Sequence, residues 1–222
     1  MSRVVIDIET LGFPFESFDE VQHEYLLKFA QTDAEREEAI QKLSLYPTTA
    51  QIIAIGMLNP DTNKAKVIFQ SDSPIDSFSE DEMTHFVSGS EDDILKQFWG
   101  DVTKYDQFIT FNGRGFDCPF LLLRSAIRQV KPTRDLMPYR YEAGIHCDLL
   151  DQLTFHGAFR KFSLDFYCKS FGIESPKSHG ITGLDLGRLY GEKRYLEIAT
   201  YCLGDVIATA ELFRRWEQNL KF

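Results

Sequence analysis

The sequence has little of what would place a protein in a membrane, in a disulfide framework or around zinc. Its four cysteines, Cys118, Cys147, Cys168 and Cys202, are widely separated and form no C-x-x-C pair. That argues against a zinc site and fits reduced thiols in a cytoplasmic compartment. No apolar run approaches the roughly 20 residues that span a bilayer, and the first residues read as a strand, not as a basic and apolar leader. An intracellular protein with no membrane partner is therefore expected. Positive charge is scarce as well. Lys and Arg number 24 against 34 Asp and Glu, a net charge of −10, and Ser71 to Asp93 contains no Lys or Arg at all. This balance counts against tight, non-specific binding of duplex nucleic acid. Helix-turn-helix and zinc-finger spacings and internal repeats are also absent.

What is present is an ordinary globular composition, 43% hydrophobic and 26% charged over 222 residues and 25.6 kDa. It suits a single domain, 1–222, with insertions. Val4 to Thr10 reads as a strand. Asp19 to about Leu45 reads as two helices, the second opened by the capping-box pattern Thr32-Asp33-Ala34-Glu35, and so defines a helical insertion over about 15–46. Ile52–Leu58 and Lys64–Gln70 read as strands joined by a turn-rich connector, giving an antiparallel meander of the first three strands. Residues 71–90 read as an acidic loop, and Ser90-Glu91-Asp92-Asp93 caps a helix to about Val102. A short strand at Phe108 and a helix over Cys118–Val130 follow, with a final strand at Gly144–Asp148. Helices near Leu149–His156, Ser163–Phe171 and Glu192–Leu220 close the chain. This order predicts an α/β layer fold around a mixed sheet.

The acids on these elements carry the chemistry. Asp7 and Glu9, in Val-Ile-Asp-Ile-Glu-Thr, are two residues apart on a strand and share one face. Two like charges there raise each other's pKa unless a cation compensates them. A hard divalent ion takes oxygen ligands and leaves positions for water and a substrate phosphate. An isolated D-x-E is equally compatible with a solvated sheet edge. Asp117 follows the turn Asn112-Gly113-Arg114-Gly115-Phe116 near a helix start, where the helix dipole favours a carboxylate, although an N-cap role would fit as well. On the last helix Ala199, Leu203, Val206, Ala210 and Phe213 define a buried stripe. Tyr201 and Asp205, four apart, form a row beside it.

In that order these residues resemble the DEDD superfamily of 3′–5′ exonucleases, whose four acids are spread over three motifs. Asp7 and Glu9 match the first motif, Asp117 the second and Asp205 the third; Tyr201, four before the last acid, matches the DEDDy branch, while Thr200 stands where the DEDDh branch has histidine. The second motif, Asn112 with Phe116-Asp117 and Pro119, is similar to the proofreading domain of family B DNA polymerases. Later segments, His146-Cys147-Asp148-Leu149, Ser163-Leu164-Asp165, Gly172-Ile173 and Pro176-Lys177, look like stand-alone exonucleases of that kind. The resemblance runs from Val4 to about Arg215 and is weakest between Phe13 and Tyr46.

It implies a ribonuclease H-like fold and two divalent ions, Mg²⁺ or Mn²⁺, held by Asp7, Glu9, Asp117 and Asp205. Asp7 would bridge both ions, Glu9 and Asp205 would complete the water-activating site, Asp117 would hold the second ion, and Tyr201 would orient the attacking water. Nucleoside 5′-monophosphates would leave the 3′ end of a single strand, DNA or RNA. Thr10 and Leu11 are implied to meet the terminal nucleotide. Asn112 and Phe116 are candidates for holding splayed bases, and Phe111 reads as core. Arg114 is the candidate phosphate contact; Lys161, Lys177, Arg124, Arg128 and Lys131 are further basic candidates, the last three fitting a solvated helix face. Cys118 and Cys202 read as packing residues beside the motifs. His146 and Asp148 read as structural residues at a strand end. A ribonuclease of the same fold and a non-catalytic nucleic-acid or protein binding module remain alternatives, and a protein partner would supply targeting.

Overall fold

The computed structural model describes residues 1–175 and 180–221. Seven strands form one mixed sheet: β1 (Arg3–Gly12), β2 (Ala50–Leu58), β3 (Ala65–Gln70), β4 (Asp76–Phe78), β5 (Thr84–Gly89), β6 (Gln107–Thr110) and β7 (His146–Asp148). Their spatial order is β4-β5-β3-β2-β1-β6-β7. The β1-β2-β3 meander is antiparallel, while β3 with β5, β1 with β6, and β6 with β7 run parallel. Eight helices accompany the sheet among the described residues: α1 (Glu20–Leu26), α2 (Asp33–Gln41), α3 (Glu91–Asp101), α4 (Asp117–Ile127), α5 (Leu149–Leu153), α6 (Leu164–Phe171), α7 (Leu186–Gly191) and α8 (Tyr195–Asn219). The result is an α/β fold of ribonuclease H-like architecture.

Period-two alternation along β1 divides its side chains between two layers. Val4, Ile6 and Ile8 enter a core with Ile94, Phe98 and Trp99 of α3 and Phe120 and Leu121 of α4. Val5 enters the opposite core, with Val206, Leu212 and Phe213 of α8. Asp7 and Glu9 continue Val5's alternation and so lie on the side of α8. Two buried polar contacts tie the first layer together. Trp99 Nε1 donates to Ser125 Oγ at 2.7 Å. Glu91, 8% exposed, takes two hydrogen bonds from Arg124 at 2.9 and 2.6 Å and one from the Ile52 amide at 2.9 Å. Arg124 therefore belongs to the interior, and not to the solvated helix face expected for it.

Two differences from the sequence reading have local causes. Residues 71–90, expected as an acidic loop, contain β4 and β5. Thr84, Phe86 and Val87 are buried, and β5 pairs in parallel with β3 from Ala65↔Thr84 to Gln70↔Gly89. A run of β-branched and aromatic residues there outweighs the surrounding acids. The predicted helix over Leu149–His156 ends at Leu153, and Phe155 and His156 have positive φ of 49° and 58°. Capping boxes at Thr32/Glu35 and Ser90/Asp93 open α2 and α3 where the sequence pattern puts them.

Candidate active site

β1 pairs with β6 only from Arg3 to Val5, so beyond that point its edge is free to meet other groups. The Ile8 amide donates to Asp117 Oδ1 at 3.0 Å, which joins the strand acids to the first turn of α4. Asp117 is the first residue of that helix and not its N-cap; Phe116 holds the cap position, and its side chain makes no cap bond. The dipole of α4 nevertheless directs partial positive charge at the Asp117 carboxyl.

The turn before Asp117 is shaped from below. Asn112 has φ of 63°, and a Cβ on Gly113 would lie 2.4 Å from Thr110 Cβ, so only glycine fits there. Asp148, at the end of β7, holds the turn: its Oδ1 accepts from the Asn112 amide and its Oδ2 from the Arg114 amide, both at 2.9 Å. Its short spacing to His146 suggests only a strand-end role and gives no sign that it clamps a turn 34 residues away. His146 is buried and its pKa is lowered to about 4, by burial first and then by the Arg114 charge. Its Nδ1 donates to the Leu136 carbonyl and its Nε2 accepts from Thr110 Oγ1, each at 2.9 Å. A neutral imidazole fits both bonds.

The last helix brings Tyr201 and Asp205 to the strand acids. Gly56 of β2 stands opposite Asp7, and a Cβ there would lie 2.9 Å from Val206 Cγ1 and 3.0 Å from Cys202 Sγ. The bare backbone at Gly56 lets α8 lie close on the sheet. Cys202 Sγ contacts the Asp7 carbonyl at 3.8 Å. Among the described residues, one ligand atom each of Asp7, Glu9 and Cys202 lie within 4.8 Å of one another. Asp205 hydrogen-bonds to both Glu9 and Tyr201.

These groups perturb one another strongly. Burial, followed by the neighbouring acids, pushes Asp7 and Glu9 well above the usual carboxylate range. Burial also pushes Asp117 up to about 7, against the lowering effect of its backbone hydrogen bonds, with Asp148 and Asp205 adding to the rise. The Tyr201 phenol is raised, by burial first and then by Asp205, Glu9 and Asp7, and so stays protonated. Cys202 is raised well above its ordinary value by burial and then by the acids, and remains a thiol. The available donors are thus carboxylate oxygens under mutual repulsion beside an un-ionised thiol, a set that suits a hard, oxygen-seeking cation and not a thiophilic one.

A cleft of about 690 Å³ has Glu9 in its lining. It is lined by Ile8, Glu9 and Thr10 of β1, by Phe116, by Glu38, Gln41, Lys42, Ser44 and Leu45, and by Thr182 to Leu184 with Leu186. Thr10 Oγ1 donates to the Ser44 carbonyl at 2.7 Å and pins the 3₁₀ turn Lys42–Leu45 beside β1. Leu11, the next residue, packs against the cluster that contains Leu186 and Leu189. Arg114 sends its guanidinium to the carbonyls of Pro138 and Tyr139, at 2.9 and 3.3 Å. Lys177 lies outside the described residues, and so do Pro176 and Phe222.

A mixed sheet whose central strand β1 carries two acids, with Asp117 of α4 and Asp205 of α8 brought to them, fits the ribonuclease H-like class of α/β protein. Residues 47–220 match the family described as predicted 3′-5′ exonuclease related to the exonuclease domain of PolB, and the chain belongs to that family. The matched segment includes Asp117, Tyr201 and Asp205 and begins after Asp7 and Glu9. Over 155 residues, 62% of the chain, the sequence is 24% identical to DNA polymerase 1 of Sulfurisphaera ohwakuensis, and the chain covers 18% of that protein's length. No helix among the described residues is long and apolar enough to cross a membrane.

Proposed function

We propose that the chain is a two-metal-ion 3′–5′ exonuclease that releases nucleoside 5′-monophosphates from the 3′ end of single-stranded nucleic acid, with DNA as its substrate. The observation that carries this reading is the meeting of Asp7 and Glu9 with Asp117 and with Tyr201 and Asp205, beside an open cleft. Asp7, Glu9, Asp117 and Asp205 would hold two Mg²⁺ or Mn²⁺ ions, which when bound supply water activation and charge stabilisation at the leaving 3′ oxygen. Tyr201, kept protonated and hydrogen-bonded to Asp205, orients water as a donor and does not act as a base. Asp148 positions the Asn112–Phe116 turn, and Arg114 ties that turn to the 138–139 carbonyls. Thr10 and Phe116 line the cleft where the terminal nucleotide sits. Leu11 supports Thr10 from beneath through its packing on α7, and Asn112 sets the turn. The polymerase relative supports DNA over RNA as the strand. The protein acts in the cytoplasm, and a protein partner supplies its targeting.

The test is a time course on matched 5′-labelled single-stranded DNA and RNA, with Mg²⁺ or Mn²⁺, for wild type and Asp117→Ala. A metal-dependent ladder shortening from the 3′ end, absent in the variant and faster on DNA, is expected. If neither strand shortens under any metal condition, the chain is a binding module and the exonuclease reading fails.

A further inference from the structure

Away from the cleft, exposed aromatic rings concentrate on the two segments that flank β7. Tyr139 and Tyr141 precede it and Phe155, Phe159 and Phe166 follow it, each more than half exposed. The rings are associated with one another. Phe162 stacks on Phe166 with centroids 4.3 Å apart, Phe155 meets Phe159 at 5.9 Å, and Tyr139 meets Tyr141 at 5.5 Å. Such an apolar patch in contact with water marks a binding surface.

Charge selects the occupant. Residues 155–164 contain Arg160 and Lys161 and no Asp or Glu, in a chain whose acids outnumber its bases by 34 to 24. The Arg160 guanidinium lies 5.2 Å from the Phe162 ring centroid, and neither cation joins an ion pair among the described residues. Another exposed apolar row, Val21, Tyr25 and Phe29 around α1, has Lys28 over the Phe29 ring but lies among Glu16, Asp19, Glu20 and Glu24, which outnumber it and repel a phosphate. The aromatic and basic surface is also tied to the cleft. Phe111, just before the Asn112–Phe116 turn, meets Tyr167 edge-on at 5.8 Å, and Tyr167 meets Phe162 at 6.2 Å. Arg114 binds the Tyr139 carbonyl from within the same turn.

We propose that this surface binds the 5′-ward stretch of the single strand whose 3′ end enters the cleft. Unpaired bases stack on Phe159 and Phe166, with Phe162 backing Phe166, and phosphates lie against Arg160 and Lys161. Aromatic faces accept any base, and paired bases cannot offer theirs, so the surface selects single strands without reading sequence. The inference rests on the exonuclease reading for the polarity of the strand.

The experiment compares wild type with Phe159→Ala/Arg160→Ala on 5′-labelled oligothymidylates of 3 and 12 nucleotides in Mg²⁺, measuring kcat/KM for each. Wild type is expected to prefer the 12-mer, and the variant to lose about tenfold of that preference through KM, in line with the loss of one stacked base and one phosphate contact. Phe159→Trp should retain the preference. Arg160→Ala alone should flatten the slope of log affinity against log salt by about 0.7. An unchanged 12-mer to 3-mer ratio in the double variant overturns the inference. If wild type shortens neither oligomer, the exonuclease reading fails, and anisotropy of the labelled 12-mer decides the surface separately. Tighter binding by wild type than by the variant then supports it, and equal or undetectable binding overturns it.

Discussion

The substitution Asp117→Asn should make the metal-free protein more stable while abolishing turnover. The introduced amide would keep an oxygen for the Ile8 N–H and lose only the charge. In the folded chain burial and neighbouring acids push Asp117 from the ordinary 3.8 up to about 7. A carboxyl raised on folding leaves the folded state holding the extra proton, so stability declines as pH rises between those two values and is level above them. At about 1.4 kcal/mol per pH unit, the ionised group costs the folded state about 4 kcal/mol at pH 8. A buried amide recovers part of this, since its NH₂ group also needs a partner, and a net gain of about 2–4 kcal/mol is expected. With a urea slope of about 2 kcal/mol/M, the unfolding midpoint in EDTA should rise by about 1–2 M at pH 8. The gain should shrink toward pH 5, where the wild-type carboxyl is already protonated when folded. An equal or lower midpoint at pH 8, or a gain that grows toward pH 5, would refute the argument that this carboxyl is held under electrostatic strain.

Two further substitutions probe the frame around the site. Glu91→Ala would leave the Arg124 guanidinium and the Ile52 amide buried without their partner, and should cost about 3–5 kcal/mol in urea unfolding; a loss under about 1 kcal/mol would mean that water reaches the pair. Thr10→Val removes the bond to the Ser44 carbonyl, worth about 1 kcal/mol. Amide exchange in residues 42–45 should then quicken several-fold with little change in global melting, and unchanged protection there would show that Leu43 packing alone anchors the turn.

The parts of the site legible in the sequence are those governed by local periodicity. Asp7 and Glu9 follow Val5 at period two, and Tyr201 and Asp205 follow each other at one helical turn, so their facing is visible before any tertiary contact. The capping boxes of α2 and α3 are visible for the same reason. Residues whose roles depend on distant backbone are hidden. Arg114 stands in a glycine turn that suggests a phosphate contact, and its bonds to carbonyls 24 and 25 residues away are not visible from that turn. Leu11 follows the strand acids, and its packing against Leu186 and Leu189 of α7 depends on a chain segment 175 residues away. β5 is masked by the acids around it, and α7 by Gly187 and Gly191, both poor helix formers in a six-residue helix.

Gly56 contributes no group to any reaction, but the spacing between the strand acids and the helix acid is set by what it lacks. A methyl group at that position would act as a shim, lifting α8 and carrying Tyr201 and Asp205 away from Asp7 and Glu9 together. A saturation scan scored only by turnover would therefore count Gly56 among the acids. Grafting the five-residue constellation onto another sheet would have to begin by thinning the strand next to the one that bears the first two carboxylates.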